Sequence, residues 1–271
     1  MSNSNPAAYT VTAEELKHYK EQGFLIVHQL YTPEECDQII ARAEGMVEGT
    51  VPMYKGNALY MEPEAVERGL VSDEEPTVEY LFKIGHEMHL SDPVFRYFAM
   101  HDRIADVLNG ILGPDIKCIQ SMYIDKPRNL GIGQPYHQDS HYLKTVPDTV
   151  IGVWIACDDV DIANGCLHVI PGSQNSQIYP HDVPVDIMQR KYFQEVHAAR
   201  AMSEVPCILP KGSAVFFPGK LLHRSGNNVT EDRQRRAYVL HYADAHSEPG
   251  RVPAVPNPHL LVRGRQYPGC I

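Results

Sequence analysis

Two residues that commonly bind metals, His137 and Asp139, stand two apart in Pro135-Tyr136-His137-Gln138-Asp139-Ser140-His141-Tyr142, and another histidine, His223, lies far downstream. Residues two apart on a strand share a face, so His137 and Asp139 are expected to reach one ion together. Two imidazoles and one carboxylate on one side of iron(II) leave positions that a bidentate 2-keto acid and O₂ can take. The chain has 14 histidines, so the pair by itself is also what chance produces. The residues after His223 add weight. The chain continues through Arg224-Ser225-Gly226-Asn227-Asn228 to a basic cluster, Arg233, Arg235 and Arg236, and then to Tyr238-Val239-Leu240-His241-Tyr242. A guanidinium holds a carboxylate through two parallel hydrogen bonds. One of these arginines is therefore a candidate for the far carboxylate of 2-oxoglutarate, although a solvated turn is the plainer reading of any one alone. Strand alternation puts Arg233 and Arg235 on one face and Arg236 on the other. His141, at the same spacing, is expected on the face of His137 and Asp139, either touching substrate or the metal's surroundings or serving only the fold.

The elements that must position these groups fall into two parts. Near the front, Thr12-Ala13-Glu14-Glu15 and Thr32-Pro33-Glu34-Glu35 are capping boxes, and Gly23 stops the first helix. Phe24-Leu25-Ile26-Val27 reads as a short strand. Cys36, Ile39, Ile40, Ala43 and Met46 give the second helix a buried stripe. A third helical stretch starts at Asp92-Pro93, breaks at Asp102 and resumes to Leu112. From Ile116 onward the pattern changes to short runs rich in Val, Ile, Tyr and Trp: 116–124, 149–157, 166–170, 205–209, 213–217 and 236–243. Turn residues separate them, which predicts a sandwich or jelly roll rather than a βαβ fold. The expected fold is mainly β with flanking helices around a double-stranded β-helix (jelly-roll, cupin-like) core. One domain is expected over 1–271: a helical part to 115, the core over 116–245 with a polar insert or lid at about 174–202, and a tail over 246–271. Asp125-Lys126 reads as a surface pair. Lys144, His168 and the insert are possible substrate contacts that spacing does not rank.

The bulk composition narrows the partners. A net charge of −10 and a pI of about 5.7 disfavour nucleic acid or an anionic membrane surface. No apolar run reaches the roughly 20 residues that span a bilayer. The front of the chain lacks the basic and apolar regions of a secretory signal, and the far end carries neither a prenylation nor a peroxisomal motif. The six cysteines are scattered without a CxxC pair, which suits reduced thiols in a cytoplasmic protein. A small-molecule substrate and a monomer or homodimer are expected.

Five stretches carry a family resemblance. They are Ser121-Met122-Tyr123-Ile124-Asp125-Lys126-Pro127, His137-Gln138-Asp139-Ser140-His141-Tyr142, Trp154-Ile155-Ala156, Asn164-Gly165-Cys166-Leu167-His168-Val169-Ile170-Pro171-Gly172-Ser173, and His223-Arg224-Ser225-Gly226-Asn227-Asn228. In this order and spacing the chain resembles the phytanoyl-CoA dioxygenase family of iron(II)/2-oxoglutarate oxygenases, from about residue 12 to 242. The resemblance implies iron(II) on His137, Asp139 and His223. It implies 2-oxoglutarate held by Arg235, Ser225 and Lys83 and lined by Met122 and Trp154, with O₂ as the other co-substrate. The interval from His223 to Arg235 is one residue longer than the family pattern, which leaves Arg233 and Arg236 as alternatives. Ser173-Gln174 stands where the family often has Ser-His. Asp139 is retained, which favours hydroxylation over halogenation.

The expected reaction couples oxidative decarboxylation of 2-oxoglutarate to hydroxylation of an unactivated C–H bond, releasing succinate and CO₂. Two rival readings are a non-catalytic 2-oxoglutarate and metal sensor and a cupin-type metalloenzyme that uses no keto acid. Retention of the triad and an arginine clamp disfavours both. An acyl-CoA, an amino acid, a phosphonate or a natural-product intermediate would each fit the substrate role.

Overall fold

The computed structural model describes residues 8–54, 56–250 and 259–271. Its body is two antiparallel sheets. The larger runs in the order β1 (Leu25–Val27), β10 (Ala214–Pro218), β7 (Ile151–Ala156), β12 (Arg235–Asp244), β4 (Ile116–Lys126), β3 (Leu81–His86), β2 (Ala58–Met61), with β14 (Leu260–Arg263) also paired to β4. The smaller runs β5 (Gln134–His137), β11 (His223–Ser225), β8 (Leu167–Val169), β9 (Val205–Cys207). A two-stranded ribbon joins β6 (Thr145–Val146) to β13 (Glu248–Pro249).

The two sheets face each other across a core that includes Trp154, Val215 and Val239 from the larger and Leu167, Val169 and Cys207 from the smaller. The larger sheet's other face is covered as well. There Val153, Ile155, Phe216, Tyr238 and Leu240 pack with Ile39, Ala43 and Met46 of α2 (Pro33–Val47) and with Phe95 and Phe98 of α5 (Pro93–Ala99). A sheet buried on both faces needs apolar residues at consecutive positions. That is why β7 and β12 read as continuous apolar runs rather than as alternation.

Both capping boxes form, at Thr12 for α1 (Ala13–Gln22) and at Thr32 for α2, and Gly23 ends α1 at φ 85°. The third helical stretch is broken as expected, into α5 and α6 (Asp102–Ile111). Core tyrosines hold α5 by its carbonyls: Tyr31 donates to Phe98 O (2.7 Å), Tyr238 to Phe95 O (2.9 Å) and Tyr242 to Ala99 O (2.8 Å). Two shorter helices, α3 (Pro63–Glu67) and α4 (Met88–Ser91), complete the front.

Three expectations need correction. The stretch before residue 115 is not simply helical, because β2 and β3 extend the larger sheet past β4. These are short strands interrupted by Lys83 and Gly85, and their apolar signal is weak. Strands β5 and β11 are three or four residues long and polar, so periodicity did not reveal them. Asp125 and Lys126 are not a surface pair; they are 1% and 2% exposed.

Candidate active site

His137 ends β5, and His223, directly opposite it in the register, begins β11. Asp139 is not on the strand with His137. The chain leaves β5 and enters a 3-10 turn over Asp139–His141, and this turn, rather than strand alternation, brings the carboxylate beside the imidazoles. Candidate ligand atoms of the three side chains lie within 4.8 Å of one another, and all three residues are buried. Asp139 Oδ1 is 3.6 Å from His137 Nε2 and 3.7 Å from His223 Nε2.

The backbone sets which nitrogen of each ring is free. His137 Nδ1 lies 2.9 Å from Pro135 O and His223 Nδ1 3.0 Å from Leu221 O. A carbonyl only accepts, so each Nδ1 carries the hydrogen and each Nε2 presents a lone pair to the shared space. In that tautomer Gln134 Nε2, 3.0 Å away, donates to His137 Nε2. The imidazole of His137 is kept neutral: burial, with His223 beside it, pushes its pKa down to about 3. Burial alone would raise the pKa of Asp139. The neighbouring His223, His241 and His137 outweigh it and hold the carboxyl ionised. Two imidazoles and one carboxylate with converging candidate ligand atoms suit a divalent first-row ion such as iron(II).

Spacing did not single out His241. Its Nε2 lies 3.1 Å from Asp139 Oδ2 and donates to it, which leaves Oδ1 directed at the two histidines. His241 is 3% exposed and its Nδ1 has no partner among the described residues. The signal was present in the alternation along β12: Arg235, Val239 and His241 share one face and all line the same cavity.

That cavity, about 510 Å³, lies between the sheets. Every residue expected at the site borders it: the triad, Lys83, Met122, Trp154, Ser225 and Arg235. The three arginines separate cleanly. Arg233 lies just before β12 and pairs with Asp161 (2.8 Å) at the surface. Arg236 points to the opposite face and pairs with Asp158 (2.7 Å) and Glu44 (3.2 Å). Arg235 alone enters the cavity. It is 1% exposed, stacks over Trp154 at 5.5 Å, and its Nε and Nη1 have no partner among the described residues. Burial lowers its pKa to about 10, so it remains a cation.

Lys83 comes from β3. Its Nζ lies 4.9 Å from the ring centre of Tyr60, and burial lowers its pKa. His141, Lys144 and His168 do not border this cavity. His141 stacks on His181, the rings 4.0 Å apart, and its Nε2 lies 3.2 Å from Gln194 Oε1. His168 lies 3.0 Å from Glu204. The polar insert does reach the cavity: Lys191, Tyr192, Phe193 and Gln194 form one wall, and Phe193 meets Phe82 edge-to-face at 6.2 Å.

The larger sheet backs the site, the smaller sheet supplies the histidines, and the insert closes one side. Comparison with solved structures finds the same fold. The apo form of the non-heme monooxygenase ThoJ superposes with a TM-score of 0.71 at 21% identity, covering 94% of this chain and 86% of that one. EctD from S. alaskensis, solved with 2-oxoglutarate and 5-hydroxyectoine, gives 0.66 at 20% identity over 100% and 88%. Among curated sequences, "Phytanoyl-CoA dioxygenase domain-containing protein 1" of Rattus norvegicus is 30% identical over 266 residues, 87% of this chain and 91% of its own. The family model for phytanoyl-CoA dioxygenase matches residues 19–237. By that match, which takes in every strand from β1 to β11 together with the triad, the chain belongs to the phytanoyl-CoA dioxygenase family.

Proposed function

We propose that the protein is an iron(II)- and 2-oxoglutarate-dependent dioxygenase that hydroxylates an unactivated C–H bond of a small organic metabolite. One observation supports this most strongly: a buried arginine with two unpartnered donor atoms shares a cavity with a convergent His-Asp-His triad. A cupin-type enzyme without a keto acid has no use for such an arginine. Family membership and the 2-oxoglutarate held by EctD point the same way.

In this reading His137, Asp139 and His223 hold iron(II), and His241 fixes the spare oxygen of Asp139. Arg235, with Ser225 and Lys83, takes the carboxylates of 2-oxoglutarate, while Met122 and Trp154 shape the walls. Bound iron, with 2-oxoglutarate and O₂, supplies the oxidising power, with succinate and CO₂ as co-products. Phe82 and Phe193 keep bulk water from the substrate side. We further propose that residues 1–271 act as one oxygenase unit, as a monomer or homodimer. Its cysteines are all free, which suits the reducing cytoplasm. No helix among the described residues is long and apolar enough to cross a membrane.

The test is an anaerobic iron(II) titration with and without 2-oxoglutarate, read by the visible metal-to-ligand charge-transfer band. The band is expected in the wild type and lost in His137→Ala. Absence of the band in folded, iron-loaded wild type would overturn the assignment.

A further inference from the structure

Beside Arg235, the cavity holds a second buried basic side chain. Lys126 lies opposite Arg235 in the register of β4 and β12 and borders the same cavity. It is 2% exposed and forms no ion pair among the described residues. Its Nζ donates to Ser225 Oγ at 2.8 Å and also to the carbonyl of Gly226. The backbone N–H of Gln134 donates to the same Ser225 Oγ at 3.3 Å.

The count of donors and acceptors at Ser225 decides its direction. A hydroxyl has two lone pairs and one hydrogen. A protonated Lys126 has no lone pair, and a backbone N–H has none to offer either, so with Lys126 as an ammonium neither it nor Gln134 can accept from the serine. Both acceptor positions of Oγ are therefore filled. Its hydrogen makes no bond to any acceptor among the described residues. Arg235 lies on the same cavity with Nε and Nη1 also unpartnered. Buried donors without protein acceptors, gathered on one cavity, suit an anion.

We propose that Lys126 is a positioning residue of the co-substrate site: it occupies the lone pairs of Ser225 together with Gln134, so that the serine can only donate, and it donates to the distal carboxylate that Arg235 also binds. The inference rests on the 2-oxoglutarate reading above and adds to it a residue and a hydrogen-bond direction. Lys126 also contributes charge. Two cations buried side by side repel unless an anion lies between them, so the site selects keto acids that bear a second carboxylate. Burial and Arg235 both work against the Lys126 ammonium, and Glu62 favours it; a ligand carboxylate placed between Lys126 and Arg235 would favour both cations.

The experiment titrates iron-loaded protein anaerobically with two keto acids of equal chain length, 2-oxoglutarate and 2-oxovalerate, which lacks the distal carboxylate. The charge-transfer band reports binding of each. Lys126→Met is expected to weaken 2-oxoglutarate about 10- to 100-fold and 2-oxovalerate less than about threefold. Lys126→Arg, which keeps two donors, is expected to recover most of the loss. Adding Ser225→Ala to Lys126→Met is expected to cost little more, because the two act as one unit. Equal weakening of both keto acids would show a role confined to packing and overturn the proposal, as would no weakening of either. If Lys126→Met does not fold, Ser225→Ala carries the test, and unchanged 2-oxoglutarate binding in that variant would overturn the proposal. Failure of the wild type to give a band with either keto acid would overturn the dioxygenase reading itself, and the proposal with it.

Discussion

Replacing Arg235 by methionine should make the protein more stable and a worse binder at the same time. The guanidinium is 1% exposed, and burial brings its pKa from 12.5 to about 10. At about 1.4 kcal/mol for each tenfold, the folded state carries the charge at a cost of about 3 kcal/mol. The sign is fixed by the direction: a cation whose pKa falls on folding destabilises the fold at every pH below the lowered value, neutral pH included. Methionine removes the charge and keeps much of the volume over Trp154. The ligand-free Arg235→Met protein should therefore melt roughly 5 °C higher, at about 2–4 °C per kcal/mol with some loss of packing. The same change deletes two charge-assisted bonds to 2-oxoglutarate, a loss of at least about 100-fold in affinity. Thermal denaturation of zinc-loaded protein shows both effects. The wild type should gain about 2.7 kcal/mol at a 2-oxoglutarate concentration 100 times its dissociation constant, and the variant should gain almost nothing at that concentration. A variant that melts lower without ligand, or that keeps the gain with it, would refute the reasoning.

Other perturbations separate the parts of the site. His241→Leu should weaken iron(II) about 10- to 100-fold, because Asp139 loses the donor on its spare oxygen; isothermal titration under anaerobic conditions reads it. Glu62→Gln should raise stability increasingly between pH 5 and pH 8. The carboxyl is fully buried with a pKa of about 8, so the folded state binds more protons than the unfolded one across that window, and wild-type stability falls as pH rises. Melting curves of metal-free wild type and variant at both pH values check the slope, and parallel curves would contradict it. Tyr238→Phe should cost about 1–3 kcal/mol in urea unfolding by leaving the Phe95 carbonyl without its donor, with no change in 2-oxoglutarate affinity.

Much of this architecture is legible in the residues, for a physical reason. The capping boxes at Thr12 and Thr32 and the stop at Gly23 are local chemistry, complete within four residues. Four of the six β runs, 116–124, 149–157, 213–217 and 236–243, belong to the larger sheet, which is buried on both faces and cannot hide its apolar content. What escapes is set by contacts from afar. Strands β5 and β11 are polar because they carry the site, so the segments most important to the metal have the least strand-like composition. The turn that places Asp139 is invisible to a period-two reading, which led to the wrong position for His141 as well. The family resemblance singled out Arg235 while the alternatives stayed open. What separates it from Arg233 and Arg236 is the partners each finds, Asp161, Asp158 and Glu44, none of which is near in sequence. His241 and Lys126 were within reach, since each continues an alternation already begun by a site residue on its own strand.

The insert walls the cavity at Lys191–Gln194 with almost no regular secondary structure. Its flanks also brace the metal side: Val196 N–H donates to the Tyr136 carbonyl of β5, and Gln138 N–H donates to His181 Nε2. Selection can redraw the cavity-facing side chains over 191–194 without disturbing the sheet registers on which the oxidising machinery rests, provided those bracing bonds are kept. A lineage with this arrangement is free to change its substrates far faster than its chemistry.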